Sequence, residues 1–119
     1  MSKIYIKENY LKSFIKFSSL TGNKENMFQY CKNNSEEHED MKFKVFKTLI
    51  KLDYKVFTEV EFKKGGRADI VAFDIKGNGH ILEIIHSESQ ESINKKLNNY
   101  PIDFEFHEIF TNKPMELII

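Results

Sequence analysis

Three consecutive segments in the middle of the chain have the residue patterns of β-strands, and short turns containing glycine separate them. The segments are residues 54–62, 68–73 and 80–85. Apolar and polar residues follow one another with a period of two in the first segment, and the other two are short apolar runs. Lys64-Gly65-Gly66 and Lys76-Gly77-Asn78-Gly79 supply the turns. The pattern predicts three adjacent strands in an antiparallel meander.

A helical period precedes this meander. Ser35 is a good N-cap, and the acidic residues that follow it lie where the helix dipole favours negative charge. The apolar residues then recur at helical spacing, which predicts a helix over residues 36–52. Its expected buried positions are Met41, Val45, Leu49 and Leu52.

Helix and strand patterns alternate again after the meander. Residues 88–99 fit a polar helix that ends before Tyr100-Pro101, and residues 103–110 alternate as a further strand. The order of helix, three strands, helix and strand predicts an α+β domain, in which a mixed β-sheet is covered by flanking helices.

The first 34 residues have a less regular pattern. Ile4 and Ile6 lie two apart and predict a short strand, and residues 10–17 fit a short amphipathic helix that breaks at Thr21-Gly22-Asn23. Residues 23–34 are interpreted as a loop or a frayed helix followed by a connector. We therefore expect a single domain over residues 1–119, with 1–34 as an N-terminal extension or cap and 35–119 as the core.

Composition supports one compact unit without a strong global charge. The 119 residues are 40% hydrophobic and 30% charged, and 18 basic residues balance 18 acidic ones. Residues 1–34 carry six lysines and two glutamates. That local excess is interpreted either as a solvated lysine face or as an arm that docks on a polyanion.

The compartment expected from these features is the reducing cytoplasm. Cys31 is the single cysteine, so the chain has no internal disulfide. The apolar runs are far shorter than the about 20 residues of a membrane span, and the N-terminus lacks the pattern of a signal peptide. We expect no membrane association.

Two carboxylates stand inside the apolar strands and are the main candidates for chemistry. Asp69 and Glu83 are 14 residues apart across a turn, so they are expected to be cross-strand neighbours. Two desolvated carboxylates are costly together unless a proton, a cation or a basic side chain intervenes. A divalent metal such as Mg2+ or Mn2+ would neutralise the two carboxylates, and it could also polarise a phosphoryl group. The structural alternative is that Asp69 pairs with Arg67 or caps the turn, while Glu83 faces solvent.

The order of these acidic positions resembles a known family. Residues 35–110 resemble the PD-(D/E)XK nuclease superfamily, which has the restriction-endonuclease-like fold. The resemblance implies a metal-dependent DNA endonuclease that hydrolyses phosphodiester bonds, with Glu39 or its neighbour Glu37 from the helix, together with Asp69 and Glu83, as ligands of Mg2+ or Mn2+. The segments SEEHEDMK and RADI look most like the nuclease part of CoiA-like proteins. The matching positions are Ser35, His38, Lys42, Arg67 and Asp69.

The chain departs from the family pattern at one catalytic position. A lysine is expected two residues after Glu83, and Ile85 stands there. Lys95 or Lys96 on the following helix are candidates for a relocated catalytic lysine, and Gln90 is another polar candidate. Two hypotheses follow: an active nuclease with a relocated basic group, or an inactive module of nuclease fold that binds nucleic acid or a partner protein.

The remaining candidates concern partners and histidines. Lys63, Lys64 and Arg67 lie around a turn where they could contact phosphates, or the turn could simply be solvated. The resemblance implies nucleic acid, and DNA first, as the partner, and it also implies a homodimer, since a nuclease of this type often needs a second copy to cut both strands. His38 is interpreted as a surface residue that supports the helix N-terminus, with metal binding as the alternative role. The other three histidines lack short metal-ligand spacing and are interpreted as structural or exposed; they are His80, His86 and His107.

Overall fold

The computed structural model describes residues 2–16, 25–86, 90–115 and 117, and they form helices on both faces of one sheet. The helices are α1 (Lys3–Lys12), α2 (Glu36–Lys51) and α3 (Gln90–Asn99), and the strands are β1 (Lys55–Glu61), β2 (Arg67–Phe73), β3 (Gly79–Ile85) and β4 (Glu105–Phe110). The predicted helix 36–52 and all four strands of the core are therefore confirmed, with ends that shift by one or two residues. The predicted helix 88–99 is present from Gln90 onward, and its first two positions lie outside the described residues.

The sheet is mixed, with the strand order β1-β2-β3-β4. The first three strands are antiparallel neighbours, as predicted, whereas β4 lies parallel to β3 and is reached through α3. A parallel neighbour needs a crossover connection, and α3 provides it. The arrangement confirms the α+β class.

Each face of the sheet buries its own apolar cluster. On the face covered by α2, Val45 and Leu49 pack against strand residues that include Ile70 and Leu82. On the other face, Leu11 and Ile15 from the N-terminal region pack against strand residues together with Tyr100 and Phe104. Ser35 accepts a hydrogen bond from the backbone N–H of His38 at 3.1 Å, which confirms it as the N-cap of α2. Leu52 is 51% exposed, so its predicted place in the core is wrong: α2 ends one residue earlier.

The N-terminal prediction is wrong in a specific way. Residues 3–12 form one helix, capped by Ser2, where a strand at Ile4 and Ile6 and a later helix had been expected. Ile4 and Ile6 are 47% and 54% exposed, so their spacing of two reflects surface residues and not a strand face. Of the predicted helix 10–17, the part after Lys12 is a turn followed by a bridge between Ile15 and Phe62, and Phe17 and the Thr21-Gly22-Asn23 break lie outside the described residues.

Part of the loop predicted over residues 23–34 lies along the outer edge of β1. Asn26 exchanges two hydrogen bonds with Val56, and the backbone N–H of Gln29 donates to Thr58 Oγ1 at 2.9 Å. These bonds satisfy groups that an edge strand would otherwise expose. Across the described ranges, none of the helices has the length and apolar character needed to cross a membrane.

Candidate active-site cleft

A cleft of about 410 Å³ opens where the start of α2, the middle of β1 and β2, and α3 meet. Several of the residues predicted from the sequence reach it together. Its lining is formed by Asn33, Asn34, Ser35, His38, Glu59, Arg67, Asp69, His86 and Lys96.

The two strand carboxylates are brought together as the sequence predicted. Ile70 pairs with Leu82 in the antiparallel register of β2 and β3, which places Asp69 opposite Glu83. Both side chains are buried, so the alternative in which Glu83 faces solvent is wrong. Asp69 Oδ2 accepts a hydrogen bond from the backbone N–H of Ile84 at 2.8 Å. The hydroxyl of Tyr100 donates to Glu83 Oε1, and Glu83 Oε2 is buried without a hydrogen-bond partner among the described residues.

Burial and mutual repulsion separate the two acids in pKa. Burial first, and the nearby charge of Asp69 second, raise the pKa of Glu83 to about 8, although the Tyr100 hydroxyl and Lys96 act in the opposite direction. Burial also disfavours the charged form of Asp69, but hydrogen bonds from His38 and from Ile84 outweigh it and lower the pKa of Asp69. At neutral pH the pair therefore holds one negative charge and one proton, and a divalent cation could replace that proton.

His38 lies between two carboxylates and is buried, so its interpretation as a surface histidine is wrong. Its Nδ1 is 3.0 Å from Glu39 Oε2, and its Nε2 is 3.3 Å from Asp69 Oδ2. Burial lowers the pKa of His38, but the hydrogen bonds and charges of Asp69 and Glu39 outweigh it, so the net direction is upward. The imidazolium form is thereby favoured, and it neutralises part of the acidic cluster.

Glu39 is occupied by contacts on its own side of the cleft. It accepts hydrogen bonds from Lys42 Nζ at 2.7 Å and from the backbone N–H of Cys31 at 2.6 Å. Burial raises the pKa of Glu39, but these two hydrogen bonds and those of His38 and Asn34 lower it overall. Because His38 stands between the two acids, Glu39, Asp69 and Glu83 do not converge as three ligands. Within the described ranges, the group of three whose ligand atoms all lie within 4.8 Å of one another is a different one, formed by His80, Glu105 and His107.

Glu59 is a cleft residue that the sequence did not reveal. In β1, Thr58 pairs with Ile70 and Val60 pairs with Ala68. Glu59 lies between them and is therefore at the register position opposite Asp69 on β2. Its φ is 53°, a left-handed conformation that is rare for a residue with a side chain. The side chain is buried, and its carboxylate lies 3.5 Å from the fully buried Lys42 Nζ. In the sequence it appears only as one of the polar positions of an alternating strand.

The two candidate lysines differ in position. Lys96 lines the cleft, and its Nζ is 3.6 Å from Glu83 Oε2, whereas Lys95 is exposed and is not part of the cleft lining. The motif position itself, Ile85, is buried in the sheet and is 5% exposed. Gln90 is exposed and bonds to Asn94 within α3, and Glu37 is exposed on α2. The structure therefore brings Lys96, and none of the other three polar candidates, next to the carboxylate pair.

Of the three basic residues at the β1–β2 turn, one reaches the cleft and two do not. Arg67 lines the cleft, with its Nε 4.0 Å from Glu59 Oε2 and its side chain 54% exposed. It also borders a second depression of about 380 Å³ that Lys16 and the Gly65-Gly66 turn help to form. Lys63 and Lys64 are exposed at the tip of the turn and line neither depression. Arg67 is thus the basic residue of this turn that faces the carboxylates.

Tyr100 is the second site residue that sequence reasoning missed. Its hydroxyl contacts Glu83 and lies 3.1 Å from the backbone carbonyl oxygen of Arg67. In the sequence Tyr100 marks only the end of a helix before proline. A buried tyrosine that needs a hydrogen-bond partner could have been a signal, but its burial follows from how α3 docks on the sheet.

Comparison with known proteins adds no assignment. No family model, no curated protein and no solved structure matches the chain. The chemical character of the cleft therefore rests on its own residues: two adjacent buried carboxylates, one of them protonated at neutral pH, with a lysine, an arginine and a histidine around them.

Proposed function

We propose that the cleft is the active site of a metal-dependent nuclease that hydrolyses phosphodiester bonds in DNA. The observation that carries the proposal is the Asp69 and Glu83 pair with Lys96 beside it. Two buried carboxylates on adjacent strands, one of them with a pKa raised to about 8 by burial and by the charge of the other, are what a divalent cation relieves.

The residues present fit Mg2+ or Mn2+ as a cofactor. Glu83 Oε2 is a buried carboxylate oxygen without a hydrogen-bond partner among the described residues, and Asp69 is its neighbour on β2. Mg2+ is commonly held by one or two carboxylates with water in the remaining positions, so Glu39 is not required as a third ligand. When bound there, the ion would supply Lewis-acid polarisation of a phosphoryl oxygen.

The chain's own residues then have distinct roles. Lys96 approaches the carboxylate pair from α3, and we assign to it the work of the lysine that Ile85 replaces: it orients a water and holds positive charge near the reacting phosphate. Arg67, whose side chain is 54% exposed at the cleft, would bind a neighbouring phosphate from the open side. His38 fixes Asp69 through its Nε2 and is a positioning residue.

The test is cleavage of plasmid, single-stranded and branched DNA by the full chain in Mg2+ or Mn2+. Asp69→Asn and Glu83→Gln should abolish cutting, and Lys96→Met should lower the rate by about 100-fold or more, the usual cost of removing one group that stabilises the charge developing in the transition state. Lys95→Met is the matched control, since it removes an equal charge from the preceding position of the same helix, which is exposed. If the wild type cuts none of the substrates, or if Asp69→Asn cuts as fast as the wild type, the proposal is wrong.

The second candidate is a module of the same fold that binds without catalysis. The observation that favours it is the internal neutralisation of the acids, because His38 and Lys42 already pair with Asp69, Glu39 and Glu59. Binding to DNA that weakens steeply with salt, without turnover, would support the nucleic-acid form. Substituting Arg67, Lys63 and Lys64 one at a time should then show which of them contact phosphate, as a smaller salt slope. Absence of DNA binding would direct attention to a protein partner.

A further inference from the structure

A second cluster of side chains lies away from the cleft, where β3 and β4 begin. His80 on β3 pairs with Glu105 on β4, and His107 follows two residues later, opposite Leu82. Residues two apart on a strand point to the same face, and residues paired across strands share a face. The register therefore brings His80, Glu105 and His107 together on the face that α2 covers, although His80 lies more than twenty residues before the other two in the chain.

The three side chains form a small triangle of ligand atoms. His80 Nδ1 lies 3.0 Å from His107 Nε2 and 3.1 Å from Glu105 Oε2, and His107 Nε2 lies 3.9 Å from the same Glu105 oxygen. Tetrahedral zinc with bonds of 2.0 to 2.1 Å separates its ligands by about 3.3 Å. The triangle thus has the size that one zinc ion would require.

An outer carboxylate fixes the orientation of His80. Asp74 Oδ2 is 2.9 Å from His80 Nε2, while Asp74 Oδ1 accepts hydrogen bonds from the backbone N–H groups of Lys76 and Asn78 at 2.9 Å each. The β2–β3 turn therefore holds the carboxylate in place. A proton on Nε2, bonded to Asp74, leaves the lone pair of Nδ1 directed at the triangle, which is the usual arrangement behind a histidine that binds a metal.

Access to the cluster is open on one side. The His80 side chain is 3% exposed, whereas that of Glu105 is 64% exposed and that of His107 is 22% exposed. An ion can enter from solvent, and water can complete its coordination, without any movement of the sheet. None of the three residues lines the cleft that holds Asp69.

We propose that His80, Glu105 and His107 form a binding site for a divalent transition-metal ion, zinc in the first place, with Asp74 as the residue that orients His80. Two imidazoles and one carboxylate select zinc and its neighbours over Mg2+, which takes oxygen ligands. The site joins β3 to β4 and is independent of the nuclease proposal, because it shares no residue with the cleft.

The experiment uses the full chain without a histidine tag, freed of metal with a chelator. Calorimetric titration with Zn2+ should give one site per chain, and Co2+ as a spectroscopic substitute should show the absorption of a four-coordinate ion. A tenfold excess of Mg2+ should leave the titration unchanged. His107→Gln and Glu105→Gln are the informative variants, since both positions are partly exposed and their loss leaves the core intact. Each should weaken Zn2+ binding at least tenfold, and Asp74→Asn should weaken it by about 10-fold to 100-fold.

His86→Gln is the matched control, because His86 is an exposed histidine at the other end of β3 that lies close to Thr111 and not to the cluster. It should bind Zn2+ like the wild type. Circular dichroism of each metal-free variant should overlay that of the wild type, which separates loss of ligands from loss of fold. The proposal is overturned if the wild type does not bind Zn2+, if His107→Gln binds it as tightly, or if Glu83→Gln and not His107→Gln removes binding. In the first case the cluster is a hydrogen-bonded group in which His80 bridges Asp74 and Glu105.

Discussion

Neighbours from three parts of the chain change the pKa of Glu83. Asp69 faces it from β2, Lys96 from α3, and Tyr100 from the segment that follows α3. Burial and the charge of Asp69 favour the neutral carboxyl, and the lysine and the hydroxyl only partly oppose them. Binding of the proton that a metal would displace should therefore make the free energy of unfolding of the metal-free protein depend on pH.

This residue predicts a direction for stability against pH. The folded pKa of Glu83 is about 8, above its ordinary value of 4.5, so the folded state binds the proton more tightly. The contribution of Glu83 to the free energy of unfolding is fully present below pH 4.5 and is lost as the pH rises towards 8. The loss is up to about 1.4 kcal/mol for each pH unit in that window. Urea unfolding of metal-free protein from pH 5 to 8 should show this loss in the wild type and a flatter profile in Glu83→Gln.

The control for this measurement is Glu108→Gln. Glu108 pairs with Glu83 across β3 and β4 but is exposed, so its replacement should keep the slope of the wild type. If Glu83→Gln keeps the same slope as well, the proton does not reside on Glu83. The structural assignment of the charge in the cleft would then be wrong.

The single-residue details explain why the sequence predicts the cleft only in part. Asp69 and Glu83 could be paired in advance because a short turn fixes the strand register. The choice of Lys96 over Lys95 depends on the rotation of α3 against the sheet, which a polar helix with two apolar residues does not define. Tyr100 and the histidine cluster depend on contacts between residues far apart in the chain, and no local period encodes such contacts.

At the scale of elements, the parts with a strong period were predictable and the N-terminal helix was not. In α2 the N-cap, the acidic first turn and the apolar spacing agree, and the helix forms where they predict it. Helix α1 is short, and its exposed face carries Ile4, Tyr5 and Ile6, so its apolar residues do not mark its buried side. Its position is decided by Leu11 and Ile15, which reach the core near and after its end.

Strand β1 contains a local conflict between backbone and sequence. Glu59 has a φ of 53° in the middle of the strand, where a side chain costs about 1 to 2 kcal/mol. Such strain persists where the surroundings impose it, and here the carboxylate is held beside Lys42 on the rim of the cleft. The backbone on either side then sends Phe57 and Val60 to the same face of the sheet.

Two substitutions at this position separate backbone strain from lost contacts. Glu59→Ala and Glu59→Gly both remove the carboxylate, but only glycine also relieves the left-handed strain. We expect the glycine variant to be more stable than the alanine variant by about 1 kcal/mol, which reverses the usual order of these residues in a strand. The measurement is urea unfolding of both variants. The usual order, with alanine more stable, would show that Glu59 is not strained in solution.

At the scale of the whole molecule, the sheet depends on cover from both sides. Helix α2 covers one face, and the other is covered by the N-terminal region together with the segment around Phe104. Gly79 shows how close this second layer lies: a Cβ there would come within 2.7 Å of the Phe104 ring and 2.9 Å of Leu11. Residues 2–16, which belong to the segment 1–34 that was predicted as an extension or cap, therefore contribute directly to the core.

The last prediction tests whether this N-terminal layer folds together with the sheet that carries the cleft. Leu11 is 2% exposed and packs in the same cluster as Phe62, so Leu11→Ala should lower the free energy of unfolding by about 2 to 5 kcal/mol. Ile4→Ala is the control on the same helix, since Ile4 is 47% exposed and its loss should cost within about 0.5 kcal/mol. Urea unfolding followed by circular dichroism gives both values. If the two variants unfold alike, α1 is not part of the cooperative core; a selective loss in Leu11→Ala means that the N-terminal region supports the strands on which Asp69 and Glu83 are held.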